Sequence, residues 1–153
     1  MPPLRSADEL YRLGSRVIHP GPQNLAQIRE WLRAADEKLE DAQNGSVSKG
    51  TRMDAAYDVV LCCGLAVLSA QGWRASSEPG HHAEVLETMA AALGLRQAQF
   101  DELDAVRGWR HRKYRGALSP QDSELKTALD WARRIHERTE SWLAANHSRL
   151  LRD

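Results

Sequence analysis

Apolar residues recur at intervals of three and four along most of the chain, and alternating runs rich in Val, Ile and Thr do not occur. This pattern predicts an all-α protein. The helices are expected over roughly 24–44, 51–72, 81–94, 97–115 and 119–147. Residues 6–18 favour a further short helix, although Gly14 and the HPGP segment after it weaken that prediction.

Capping residues predict where three of these helices begin. Asn24, with Gln27 three residues on, is typical of a capping box at the start of the first long helix. Thr51 predicts the start of the second helix. Ser119 as a hydroxyl cap and Pro120 at the first helical position predict the start of the last one.

The second helix is expected to be the most buried element, because residues 55–70 are apolar on nearly every side. This stretch falls short of the roughly 20 residues that cross a bilayer, so it indicates a core element and no membrane association. The sequence predicts an up-and-down bundle of four to five helices over 24–147, with an N-terminal extension (1–23) and a C-terminal tail (148–153).

Composition supports a single globular domain. The chain has 153 residues, 42% of them hydrophobic and 27% charged. Lys and Arg total 21 and Asp and Glu total 21, so no overall charge attracts nucleic acid or membrane, and self-association as a homodimer stays open. The two cysteines, Cys62 and Cys63, lie in the apolar run and are expected to be buried, reduced thiols. Their state, and an N-terminus without a secretion-signal pattern, favour the cytoplasm.

The sharpest local feature is the segment RGWRHRKYRG at residues 107–116. No acidic residue occurs between Ala105 and Gln121. The cations of the segment are Arg107, Arg110, Arg112, Lys113 and Arg115. On a helical wheel, Arg107, Arg110, His111 and Tyr114 fall within roughly 100° of one another and continue the apolar stripe of the preceding turns. Burial would leave these cations unpaired, so a cleft, a subunit interface or a solvated helix end should receive them.

Such a face suits a phosphate, because guanidinium groups offer bidentate donors while His111 and Tyr114 can exchange protons. The face is therefore a candidate for RNA binding and cleavage. A structural alternative is a cationic C-terminal helix turn that meets the negative end of the helix dipole in solvent. Charge alone does not separate the two interpretations.

Four segments in order resemble the HEPN family of small helical-bundle proteins. They are LEDA at 39–42, AYD at 56–58, GHH at 80–82 and R-x-x-R-H-x-x-Y at 107–114, and the resemblance spans roughly 24–145. It implies a homodimer and a metal-independent ribonuclease, often a toxin of a toxin–antitoxin or phage-defence system, with no cofactor.

The resemblance also implies site residues. The family signature is an arginine, four to six residues and a histidine, whereas three residues separate Arg107 from His111. If the chain is active, a ribose 2′-hydroxyl attacks the neighbouring phosphate. His111 is the expected base and Tyr114 a proton donor or ribose contact. Arg107 and Arg110 hold the phosphate. Arg112, Lys113 and Arg115 would add RNA contacts.

The shortened spacing favours a second hypothesis, a catalytically inactive HEPN-like module. Such a module would dimerise or bind a partner, such as the nucleotidyltransferase antitoxin commonly paired with the family. A metal site at His81 and His82, with Glu78 or Glu84, is disfavoured because adjacent helical side chains point about 100° apart. Packing or loop anchoring by one imidazole is expected instead, and Trp109 is likewise expected to pack rather than stack on a base.

Overall fold

The computed structural model describes residues 3–78, 80–112 and 119–151. Within these ranges the chain forms six α-helices, a two-stranded antiparallel ribbon and a 3-10 helix. In chain order they are α1 (Ala7–Arg12), β1 (Ile18–Pro20), α2 (Leu25–Gln43), α3 (Lys49–Ala70), β2 (Trp73–Ala75), α4 (His81–Ala92), α5 (Gln97–His111), α6 (Asp122–Asn146) and the 3-10 helix (Ser148–Leu151). The predicted all-α bundle is confirmed.

Helix α3 is the centre of the core, as its sequence predicts. It packs against α2, α4 and α6, and most of its side chains are buried. Its 22 residues are long and apolar enough to cross a membrane by length and composition, which the shorter run at 55–70 did not suggest. Its most apolar window is nevertheless 72% buried inside the protein, as expected of a core helix.

Gly64 lets α4 approach α3 closely. A Cβ atom at this position would lie 2.9 Å from Cγ1 of Val85, and both residues are buried. The missing side chain therefore fixes the distance between the two helices. Since α4 begins with the histidine pair 81–82, the same packing also sets where those imidazoles stand relative to α3.

The ribbon of β1 and β2 is an element that the sequence pattern does not predict. Ile18 pairs with Ala75 and Pro20 with Trp73, so the segment before α2 is joined to the segment after α3. Strands of three residues are too short to show an alternating pattern. Ile18 is fully buried, and with Leu10 and Val17 it packs in a cluster that includes Leu68.

The predicted helix start is confirmed for α2 and corrected for α3 and α6. Helix α3 begins at Lys49 with Ser48 as its N-cap residue, shortly before the predicted Thr51. Asn24 caps α2 by accepting a hydrogen bond from the Gln27 backbone N–H at 3.0 Å, as predicted. Helix α6 begins at Asp122, so Ser119 and Pro120 precede it rather than forming its cap and first turn. The physical reason is the carboxylate of Glu124, which accepts the backbone N–H of Gln121 at 2.9 Å and so makes Gln121 the N-cap residue.

Candidate functional site

The described part of the predicted basic segment, residues 107–112, forms the last turn of α5 and its C-cap. Arg107 and Arg110 are partly buried there, His111 is exposed, and Arg112 is the C-cap residue. The predicted residues Lys113, Tyr114 and Arg115 lie outside the described residues.

Helices α3, α4 and α5 meet at Tyr57 of α3. The guanidinium carbon of Arg110 lies 4.9 Å from the centre of the Tyr57 ring, a cation–π geometry. The Tyr57 hydroxyl lies 3.0 Å from Nδ1 of His82 in the first turn of α4. Arg107, one turn before Arg110, is close enough to lower the pKa of the same tyrosine. We call Tyr57, His82, Arg107 and Arg110 the three-helix cluster.

The start of α4 delivers His82 to this cluster. Gly80, the N-cap residue, has φ of +84°, a left-handed conformation that glycine adopts without strain. The chain then turns directly into the helix, and Nδ1 of His81 lies 3.1 Å from the carbonyl oxygen of Glu78. The two imidazole rings meet edge to face, with centroids 4.2 Å apart. His81 therefore contacts the loop, and His82 faces α3.

Burial and charge keep both aromatic groups of the cluster neutral near pH 7. Burial lowers the pKa of His82 to about 4, and the positive charges of His81, Arg110, His111 and Arg107 act in the same direction. Burial raises the pKa of Tyr57 to about 12, although Arg110 and Arg107 oppose this change. The cluster thus pairs two permanent cations with an unprotonated imidazole and a protonated phenol.

Carboxylates stand close to each described arginine of the segment. Nε of Arg107 lies 2.8 Å from Oδ1 of Asp104, and Arg112 donates to Glu124 at 2.5 Å. The contact of Arg110 is looser, because its Nε lies 3.7 Å from Oδ1 of Asp54 and, among the described residues, makes no hydrogen bond. The expected unpaired cations are therefore partly neutralised, and Arg110 is the least tightly held.

The arrangement brings together some predicted site residues and adds others. Arg107 and Arg110 share the cluster as predicted, whereas His111 lies on the exposed side of the turn. Tyr57 and His82 were missed as site residues, because the expected role of His82 was packing. The signal was present, since both belong to the segments AYD and GHH.

Two other predicted residues fill the core. Trp109 packs, partly buried, against the main hydrophobic cluster. Cys63 is almost fully buried, and its burial raises the pKa of the thiol to about 12. Neither side chain therefore offers chemistry at the surface, as expected. Cys62, which was also expected to be buried, is only partly buried.

Comparisons of the chain with protein-family models, curated proteins and solved structures give no significant match. The HEPN resemblance therefore stays a prediction based on four short segments. The three-helix cluster contains two of the predicted site residues, Arg107 and Arg110.

Proposed function

We propose that the chain is a metal-independent endoribonuclease of the HEPN type, a toxin or defence subunit acting as a homodimer in the cytoplasm. One observation carries the proposal. Arg107 and Arg110 stand together beside the neutral imidazole of His82, where α3, α4 and α5 meet. Two guanidinium groups at one place suit the phosphate of an RNA strand.

The proposed reaction needs a base, a charge stabiliser and a proton donor. The exposed imidazole of His111, next to Arg110, can reach a bound strand and accept the 2′-hydroxyl proton. Arg107 and Arg110 stabilise the charge that develops on the phosphorus oxygens. The 2′-oxygen bonds to phosphorus, the 5′-oxygen leaves with a proton, and a 2′,3′-cyclic phosphate remains. Tyr114 is the proposed proton donor.

His82 adds to this chemistry as a polar group that carries no charge. A protonated imidazole would repel the two arginines, whereas the neutral ring allows them to stand nearby. Its contact with Tyr57, which also lies under Arg110, holds the phenol and the guanidinium in a fixed relation. We assign His82 and Tyr57 to positioning in the proposed enzyme.

The carboxylates beside Arg107 and Arg110 favour a second function, that of a binding module without catalytic activity. Because Asp104 and Asp54 already face Arg107 and Arg110, RNA would have to compete with them for the guanidinium groups. This pairing is what a structural ion-pair network would show. It supports an inactive HEPN-like module that dimerises or binds a partner such as a nucleotidyltransferase antitoxin.

Incubation of the purified protein with total RNA in excess chelator separates the two functions. The enzyme hypothesis expects fragments with 2′,3′-cyclic phosphate ends, and a loss of cleavage of roughly 100-fold or more in Arg107→Ala and in His111→Ala. Arg16→Ala removes an exposed arginine from the segment before β1; it is the matched control and should cleave like wild type.

A lack of cleavage would contradict the enzyme hypothesis. If wild type cleaves no more RNA than an Arg107→Ala/His111→Ala double variant, the enzyme hypothesis is wrong and the inactive binding module is the remaining hypothesis. Sedimentation or light scattering at micromolar concentration tests the homodimer, and a strict monomer would contradict this part of the proposal.

A further inference from the structure

A second group of polar side chains lies on a different face, where α6 crosses α2. Nε2 of His136 is 2.5 Å from Oδ1 of Asp36 and 3.6 Å from Oε1 of Glu140. His136 and Glu140 are one turn apart on α6, whereas Asp36 comes from the middle of α2. One nitrogen and two carboxylate oxygens therefore converge, all within 4.8 Å of one another.

This convergence suits a bound cation. Nε2 carries at most one hydrogen, so it can donate to only one of the two carboxylates, and the oxygens of these carboxylates lie within 4.8 Å of each other. The cleft beside the group, of about 280 Å³, is also lined by Glu37 and Glu40. Arg33, a cation in its wall, is already paired with Glu30 and Glu37.

We propose that Asp36, His136 and Glu140 form a binding site for a divalent transition-metal ion, with Zn²⁺ the best fit. One imidazole nitrogen and two carboxylate oxygens are a donor set that Zn²⁺ accepts, with water completing the coordination. Ligand atoms around a tetrahedral ion stand roughly 3.4 Å apart. The observed distances of 2.5 and 3.6 Å lie on either side of this value, so small rotations of the exposed carboxylates create the site.

The bound ion would link two helices that are far apart in sequence. His136 is largely covered, with 20% of its side chain exposed, and so provides a rigid ligand, whereas Asp36 and Glu140 are exposed and can adjust. The ion replaces one proton at Nε2 and neutralises the carboxylates on both helices. Binding only to the folded chain, it stabilises the fold. None of the three ligands belongs to α5, and the site does not depend on the proposed ribonuclease.

The test uses the full-length protein after treatment with chelator. Isothermal titration with Zn²⁺ should show one ion per chain, and Co²⁺ should give the visible absorption of a site with protein ligands. At a hundredfold excess of Zn²⁺ over its Kd, the melting temperature should rise by roughly 5–10 °C, and chelator should reverse the rise.

Three variants identify the site. His136→Ala and Glu140→Gln should each weaken Zn²⁺ binding by roughly tenfold or more. Glu140→Gln leaves the contact between His136 and Asp36 in place, so its effect cannot be attributed to loss of the fold. Glu137→Gln removes the same charge from an exposed neighbour on α6 and should bind like wild type. Absence of saturable binding, or equal binding by wild type and Glu140→Gln, would overturn the proposal.

Discussion

The hydroxyl of Tyr57 lies 3.0 Å from Nδ1 of His82 and joins the third turn of α3 to the first turn of α4. Because the ring of the same tyrosine lies under Arg110, a change at any one of these side chains should be felt by the other two. This coupling can be measured without knowing the substrate.

The pKa of His82 is the most direct measure of this coupling. We expect its imidazole to titrate near pH 4 in wild type. In Arg110→Ala the pKa should rise towards the ordinary value of about 6.5, because one neighbouring positive charge is gone. NMR titration of the histidine ring protons reports this directly. Arg149→Ala, at the far end of the chain, should leave the value unchanged. A wild-type pKa near 6.5 would contradict the burial of this ring.

The same shift makes stability depend on pH. The folded pKa of His82 is about 4, below the ordinary value expected in the unfolded chain, so between these values the unfolded state binds more protons. The free energy of unfolding should therefore fall as the pH drops from about 6.5 towards 4. His82→Gln cannot protonate, so urea unfolding of this variant should show a shallower decline than wild type. Parallel curves for the two proteins would refute this contribution.

The start of α6 depends on Glu124, which is almost buried. Its carboxylate accepts from Arg112 and from the backbone of Gln121, and these contacts lower its pKa. We expect Glu124→Gln to lose about 1 kcal/mol of stability at neutral pH. Since a lowered pKa stabilises the fold only above it, the difference from wild type should vanish as the pH falls through the folded pKa. Denaturant unfolding at two pH values measures this. Asp122→Asn, in the same turn but exposed, should cost less.

Two glycines within helices should respond oppositely to substitution by alanine. Gly64→Ala places a methyl group 2.9 Å from Val85 and should destabilise the protein by about 1–3 kcal/mol, because α3 and α4 must separate. Gly108→Ala, on α5, meets no atom within 4 Å and should stabilise it by about 0.5–1 kcal/mol through helix propensity. Thermal unfolding compares the two. A stabilised Gly64→Ala would show that the close approach of the helices is not needed.

Charge at Arg110 should control RNA affinity if the proposed function is right. Asp54→Asn removes the carboxylate that lies 3.7 Å from Arg110, so single-stranded RNA should bind more tightly. The slope of log K against log salt should steepen by roughly 0.7, as for one further phosphate contact. Asp101→Asn changes the net charge equally on the exposed side of α5 and should have little effect. Fluorescence anisotropy at several salt concentrations measures the RNA affinity of both variants. If Asp54→Asn and Asp101→Asn change it equally, the cluster does not contact RNA.

Local signals in the sequence predicted the helices well, because they depend on residues close in the chain. The cap at Asn24 and the buried α3 are examples. Ser119 predicted the wrong start for α6. The actual start depends on the hydrogen bond from the Gln121 backbone to Glu124, and Arg112 holds that carboxylate in place. The ribbon was missed because its strands are stabilised by pairing across the whole α2–α3 segment.

The candidate site shows the same limit. The positions of Arg107 and Arg110 on one face of α5 follow from helical periodicity. His111 stands about 100° around the wheel from Arg110, which is why one side chain is partly buried and the other exposed. That His82 would meet Tyr57 depends on how α4 packs on α3, which no local pattern contains. Likewise, Asp36 and His136 are 100 residues apart, so no local pattern predicts that they meet.

The ribbon of β1 and β2 has a consequence for the order of folding. Its strands cannot meet until α2 and α3 have brought their ends together, so the ribbon should close after the helical core. By the same logic it should open before that core does, releasing α1 with it as one unit. Amide hydrogens of residues 18, 19 and 73–75 should then exchange faster than those of α3, although Ile18 is as buried as any residue that the structure describes.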